Sequence, residues 1–172
     1  MWTNILLILL LIICVITDLK ERKIYNKILL PIFLIAITYS FISSGWSGLI
    51  TSILASFVGL SILLIPYLMG GMGAGDVKLL AVIGALKGIG FVLMTSLYMA
   101  LIGGIIGLFI LLFHKGLVAR IKQIFYFFTI RPQGVKIPIL LDKEALSTTY
   151  PYGVAIALGA VGAIFEATGG LF

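Results

Sequence analysis

Long apolar runs, broken only by short polar connectors, restrict this chain to helices that lie in a lipid bilayer. Hydrophobic residues make up 62% of its 172 residues and charged residues only 10%, whereas a soluble domain is about half apolar and about a quarter charged. In hydrocarbon the backbone of such a run must satisfy its own hydrogen bonds, which a helix does. The composition therefore predicts an all-α polytopic membrane protein and excludes a soluble globular domain.

Six membrane-spanning helices follow from the positions of the apolar runs, some of them shorter than the about 20 residues that a span usually needs. We assign them to residues 2–17, 28–43, 49–69, 76–87, 91–113 and 150–167. Apolar residues also recur at helical spacing over 117–128, with basic residues between them. That pattern is typical of an amphipathic helix lying in the membrane surface. We expect one domain over residues 1–172.

The basic residues set the expected orientation. If the connector Lys20–Lys27 is cytoplasmic, alternation of the six helices places eleven of the twelve Lys and Arg residues on that side and leaves only Lys87 outside. This asymmetry is what the positive-inside rule describes. It accounts for the net charge of +6 without nucleic acid as a partner. We expect a multi-pass protein of the cell membrane. Because Cys14 is the only cysteine, we expect no disulfide, and neither a metal nor a cofactor.

Two aspartates lie at the predicted cytoplasmic ends of different apolar runs. Asp18 ends the first run, and Asp76 follows the glycine-rich stretch Gly70–Gly75. An ionisable side chain at the edge of hydrocarbon is costly, which favours a functional role over a simple glycine hinge. Two adjacent carboxylates share one proton, so the ionised member can activate water while the neutral member donates a proton. The pair therefore suggests hydrolysis by an aspartic mechanism.

Other candidate residues flank this pair. Gly73 and Gly75 would let a substrate backbone come close to the carboxylate. Lys78 either orients Asp76, holds a substrate carboxylate, or is a flanking lysine of the membrane surface. Asn26 caps the second helix or touches substrate. The Pro-Tyr-Gly sequence at 151–153 either lines the site or simply begins the last helix. The macrodipole favours Asp76 as the ionised member, but the acid and base roles stay open.

These motifs resemble a known family. Asp18 followed by Ile24-Tyr25-Asn26, together with the sequence Gly-Ala-Gly-Asp-Val-Lys at 73–78 and the Pro-Tyr-Gly opening of the last helix, resembles the type IV prepilin peptidase family of GxGD aspartic membrane proteases. Tyr25 stands where that family usually has proline. The resemblance implies that Asp18 and Asp76 are the catalytic residues. It also implies that the substrates are pilin-like precursors, cleaved after a short basic leader at the cytoplasmic face.

The same resemblance bears on the kind of enzyme. Larger bacterial relatives carry an N-terminal segment with paired cysteines and methylate the new N-terminus. This sequence begins in its first helix and has one cysteine, so we expect a peptidase without methyltransferase activity. It looks most like the short enzymes of Tad/Flp-type pili or the archaeal preflagellin peptidases. The oligomeric state and the particular precursor stay open.

Two alternatives compete with this interpretation. A small transporter or ion-binding membrane protein could use Asp18 and Asp76 as ion ligands, although both residues lie at a predicted membrane edge and no inverted repeat is visible. An intramembrane protease of the presenilin or signal-peptide-peptidase kind shares the Gly-x-Gly-Asp sequence. It is similar to a lesser degree, because its first aspartate lies within a helix and Asp18 is expected to follow one.

Overall fold

The computed structural model describes residues 2–113 and 152–169, and the part of the chain that it describes is helical apart from short connectors. Five helices occur in these ranges: α1 (Trp2–Glu21), α2 (Asn26–Leu68), α3 (Ala74–Lys87), α4 (Ile89–Phe113) and α5 (Tyr152–Ala167). The all-α fold class predicted from the composition is confirmed for these residues. The amphipathic helix predicted over 117–128 lies outside the described residues.

Helix α2 consists of two segments that meet at Gly45. As one straight helix its 43 residues would extend about 65 Å, about twice the thickness of the hydrocarbon core. Gly45 instead has φ +61° and ψ −145°, outside the helical region. A Cβ atom on Gly48 would collide with the carbonyl oxygen of Ser40, eight residues earlier, so the chain folds back here. The turn predicted at 44–48 is therefore confirmed.

The second segment of α2 packs against α3 through small residues. A Cβ on Gly59 would lie 2.6 Å from the Leu80 carbonyl oxygen, and one on Gly84 would lie 2.8 Å from the Ala55 carbonyl carbon. The Ser52 hydroxyl donates to the Ala85 carbonyl at 2.9 Å. These partners run in opposite order along the two helices, so the helices are antiparallel and in backbone contact.

Helix α3 lies at the centre of the unit formed by residues 2–103 and 152–169. Most of its residues are buried, from Asp76 to Ala85 with the exception of Lys78. Buried side chains of α1 and α5 complete this core, among them Leu7, Leu10, Cys14 and Ile156. The described residues 104–113, the end of α4, belong to a second unit. Whether residues 1–172 form a single domain stays a prediction.

Among the described helices, α1, α2 and the Ile89–Leu108 part of α4 are long and apolar enough to cross a membrane. Helices α3 and α5 have 14 and 16 residues, fewer than the about 20 of an ordinary span. The structure is thus consistent with a membrane protein, whereas the number of six crossings stays a prediction. The break predicted at 87–90 is confirmed, because α3 ends at Lys87 and Gly88 has φ +88°.

One predicted boundary is wrong. The first helix does not end at Thr17 but continues to Glu21, so Asp18 lies inside its last turn. The Arg22 backbone N–H donates to the Asp18 carbonyl at 2.9 Å, which extends the helical hydrogen bonding past the charged residues. The position of the first aspartate relative to its helix therefore no longer distinguishes this chain from proteases of the presenilin kind.

Candidate active site

Asp18 is buried in the last turn of α1, where helix α5 begins. Its side chain is only 6% exposed. The backbone N–H of Gly153, near the start of α5, donates to Asp18 Oδ2 at 2.9 Å. The positive charge of Arg22, one turn further along, also acts on this carboxylate. Burial disfavours the ionised form of Asp18, and this donor and this cation both act against that cost.

Asp76 is buried in the first turn of α3 and is 7% exposed. Gly73, the N-cap residue of α3, donates its backbone N–H to Asp76 Oδ2 at 3.2 Å. This is the half of a capping box in which the third helical residue accepts from the N-cap. Asp76 Oδ1 is buried and has no hydrogen-bond partner among the described residues. A buried oxygen without a partner costs about 1–3 kcal/mol, so a group that binds Oδ1 would be stabilised there.

The two carboxylates act on one another and on the same neighbour. The charge of Asp18 contributes to the electrostatic environment of Asp76, and both carboxylates act on the buried thiol of Cys14, one turn before Asp18 on α1. Helices α1 and α3 therefore place both sequence-predicted aspartates, each of them buried, within electrostatic range of one another and of Cys14, and these three residues form the buried cluster of the site. Two like charges in such a site cannot both ionise easily, which is the condition for sharing a proton.

The connector between α1 and α2 packs onto the start of α3. Ile24 lies over Gly75, where a Cβ atom would be 2.8 Å from the Ile24 Cβ and 3.2 Å from its carbonyl oxygen. Glycine is thus required at 75 by the close approach of the connector, one residue before Asp76. A larger residue is less strongly excluded at position 73, because a Cβ on Gly73 would lie 3.3 Å from Asp76 Oδ2.

Side chains at both ends of the connector hold it in place. Lys78 Nζ on α3 donates to Asn26 Oδ1 at 3.0 Å, which joins two of the sequence-predicted site residues. The hydroxyl of Tyr25 donates to the Glu21 carboxylate, and this hydrogen bond raises the pKa of the phenol. The predicted capping role of Asn26 is wrong, because Tyr25 occupies the N-cap position of α2 and no side chain caps that helix.

Gly153 is the residue at this site whose contact the sequence interpretation missed. The Pro-Tyr-Gly sequence had indicated either the site or an ordinary helix start, but no spacing rule connects Gly153 to a carboxylate 135 positions earlier. Within the described residues, no three His, Cys, Asp or Glu side chains form a group that could hold a metal ion. The titratable groups of the described cluster are the two carboxyl groups and the Cys14 thiol.

Fold and site together define a helical protein with apolar, membrane-length helices and a buried pair of aspartates. A family model, the type IV leader peptidase family, matches residues 5–108. Since the match covers more than half of the 172 residues, the chain belongs to the type IV leader peptidase family. The matched range contains Asp18, Asp76 and the connector but not Gly153. No curated protein and no solved structure gave a significant match to the chain.

Family membership carries a general functional conclusion. It supports leader peptidase activity for this chain and pilin-like precursors as its general class of substrate. The type IV prepilin peptidase family that the sequence motifs resemble is thereby confirmed as the family.

Proposed function

We propose that this protein is an aspartic endopeptidase that removes the short basic leader from type IV pilin-like precursors at the cytoplasmic face of the membrane. The observation that carries the proposal is the burial of Asp18 and Asp76 in one cluster, with Asp76 Oδ1 left without a partner among the described residues. A buried pair of carboxylates with a free oxygen is suited to binding one water molecule or one carbonyl oxygen.

The reaction needs one ionised and one neutral carboxyl group. The ionised carboxylate takes a proton from water as the water oxygen attacks the scissile carbonyl carbon, and the neutral carboxyl group donates its proton to the carbonyl oxygen. When the resulting gem-diol collapses, one of its hydroxyl protons returns to the second carboxylate. The leaving nitrogen takes the proton held by the first, so both groups regain their starting states.

The cytoplasmic orientation of the site is supported by charge and by one contact. Eleven of the twelve Lys and Arg residues fall on one side under the predicted topology. The hydrogen bond between Lys78 and Asn26 is consistent with the same arrangement, since it holds the start of α3 beside the basic connector. Lys87, the one basic residue expected outside, instead donates to Asn4 near the start of α1.

The position of the site at the ends of two helices suits a precursor that lies partly in the membrane. Asp18 and Asp76 each lie within one or two turns of a helix end that borders the connector. A precursor whose apolar helix lies in the bilayer would present the bond ahead of that helix at this level. Asn26, Lys78, Gly73 and Gly75 are proposed to shape the site, and Asp18 and Asp76 to act on the peptide bond.

A cleavage assay tests the proposal. The purified protein in detergent is mixed with a pilin-like precursor, and the product is identified by mass spectrometry. We expect wild type to release the leader and both Asp18→Ala and Asp76→Ala to leave the precursor intact. Asp142→Ala, the matched change at the remaining aspartate of the chain, should retain activity. Cleavage by either alanine variant would remove that aspartate from the mechanism. An intact precursor with wild type, together with ion-dependent uptake into vesicles, would favour the transporter alternative.

A further inference from the structure

We infer that Gly153 is a positioning residue whose backbone N–H holds Asp18 as the ionised member of the carboxylate pair. The contact is a 2.9 Å hydrogen bond from the Gly153 N–H to Asp18 Oδ2, across 135 positions of sequence. Gly153 lies outside the range 5–108 matched by the family. The contact is a property of the fold, but its consequence for catalysis rests on the proposed function.

Glycine is required at this position by space, not by backbone conformation. A Cβ atom on Gly153 would lie 2.7 Å from Asp18 Oδ2, 3.1 Å from Cγ and 3.2 Å from Cβ. All three are atoms of the Asp18 side chain, so any other residue would displace that carboxylate. Gly153 is not among the described glycines with positive φ. The close approach to Asp18 therefore accounts for glycine at this position.

The start of α5 favours a negative charge on Asp18. Gly153 is the second residue of α5, so its N–H is one of the donors that a helix leaves free at its N-terminus, where the macrodipole is positive. The charge of Arg22 acts on Asp18 in the same direction. Among the described residues, the Asp76 carboxyl group and the Cys14 thiol are the other titratable groups shown to interact with this pair, and Tyr152 precedes Gly153 in α5.

The hydrogen bonds around Asp76 stabilise a negative charge less well than those around Asp18. Its one described donor, the Gly73 N–H, is 3.2 Å from Oδ2, and Oδ1 is buried without a described partner. Desolvation of an ionised oxygen is costly, whereas a protonated Oδ1 can donate to a substrate carbonyl. The hydrogen bonds therefore assign the base to Asp18 and the acid to Asp76, opposite to what helix position alone favours for Asp76.

Kinetics of Gly153→Ala test the inference. Loss of the N–H contact disfavours the ionised form of Asp18, so the acid limb of the kcat/KM profile should move to higher pH by about one unit. We expect kcat to fall by at least about 10-fold with little change in KM. Gly159→Ala is the control on the same helix, because its Cβ would lie 2.7 Å from backbone atoms of Thr95 and Met99, away from Asp18. It should lower Tm and leave the acid limb in place. An unmoved limb in Gly153→Ala, or an equal shift in both variants, would overturn the inference.

A second measurement does not depend on activity. The chain has only three aspartates, Asp18, Asp76 and Asp142, so carbon-13 labelling of aspartate carboxyl groups gives three NMR signals that Asp→Asn variants assign. Between the two titration steps of the pair, we expect a carboxylate signal from Asp18 and a carboxylic acid signal from Asp76. In Gly153→Ala the Asp18 transition should occur at higher pH. The opposite assignment in wild type would refute the inference even if the precursor is cleaved. The expected assignment without any cleavage would instead refute the proposed function alone.

Discussion

Replacing Gly75 with alanine should impair catalysis without preventing the protein from folding. The new Cβ would lie 2.8 Å from the Ile24 Cβ, whereas ordinary contacts begin at 3.4 Å, so the connector and the start of α3 must separate by about 0.6 Å. Asp76 is the next residue and moves with them. Because a misplacement of about 1 Å costs about 100-fold in rate, 0.6 Å corresponds to a loss of about 10- to 20-fold in kcat. The strain at a helix end should cost stability only about 1 kcal/mol.

The assay compares turnover of a pilin-like precursor by wild type, Gly75→Ala and Gly71→Ala, with a thermal melt of each protein. Gly71 belongs to the same glycine-rich stretch, but its Cβ would make an ordinary 3.4 Å contact with the Pro66 carbonyl oxygen. We expect Gly71→Ala to turn over like wild type. Near-normal turnover by Gly75→Ala, or equal losses in both variants, would refute the argument that the connector fixes Asp76.

Three further predictions concern the connector, the core and the carboxylate pair. We expect Asn26→Ala and Lys78→Ala each to lower kcat/KM by about 2- to 5-fold. The double variant should lose no more activity than either single variant, because the two residues share one hydrogen bond. Additive losses of activity would contradict a role for that shared bond. Gly84→Ala should lower the free energy of unfolding by about 1–3 kcal/mol, because its Cβ would overlap the Ala55 backbone. An unchanged melting temperature would disprove that close packing. The pH profile should be bell-shaped, because activity is lost at low pH when both carboxyl groups are protonated and at high pH when both are ionised. A rate that does not fall at low pH, or does not fall at high pH, would be inconsistent with a shared proton.

The helices could largely be predicted because glycine and turn residues mark their ends. Gly45 and Gly88 both have positive φ in the structure, and both lie where the sequence predicts a turn or break. The end of α1 was misplaced for a physical reason. Charged residues from Asp18 onward mark the predicted edge of the hydrocarbon, but helical hydrogen bonding does not depend on that edge and continues past it, as the bond from Arg22 to Asp18 shows. The count of six membrane crossings stays a prediction, because α3 and α5 are shorter than an ordinary span.

The site could be predicted only in part, because long-range contacts have no local signature. The positive-inside rule placed the connector and Lys78 at one membrane face, which is consistent with the hydrogen bond between Lys78 and Asn26, 52 positions apart. Nothing in the spacing indicates that Gly153 lies against Asp18, since periodicity describes one helix at a time and not which helix ends meet. The capping role expected of Asn26 is wrong because α2 begins one residue earlier than residue type suggests, with Tyr25 at the N-cap position and no side-chain cap.

The most direct test of the central claim is whether residues 18 and 76 can be linked to one another. Cys14 is the only cysteine, so Cys14→Ser provides a background in which Asp18→Cys and Asp76→Cys can be combined and treated with a short bifunctional thiol reagent. The pair Asn26→Cys and Lys78→Cys, at a contact of 3.0 Å between the native side chains, is the positive control. We predict that mass spectrometry finds the 18–76 link in the folded protein as readily as the control link. A control link without any 18–76 link would contradict the account, because the two carboxylates could not then act on one water.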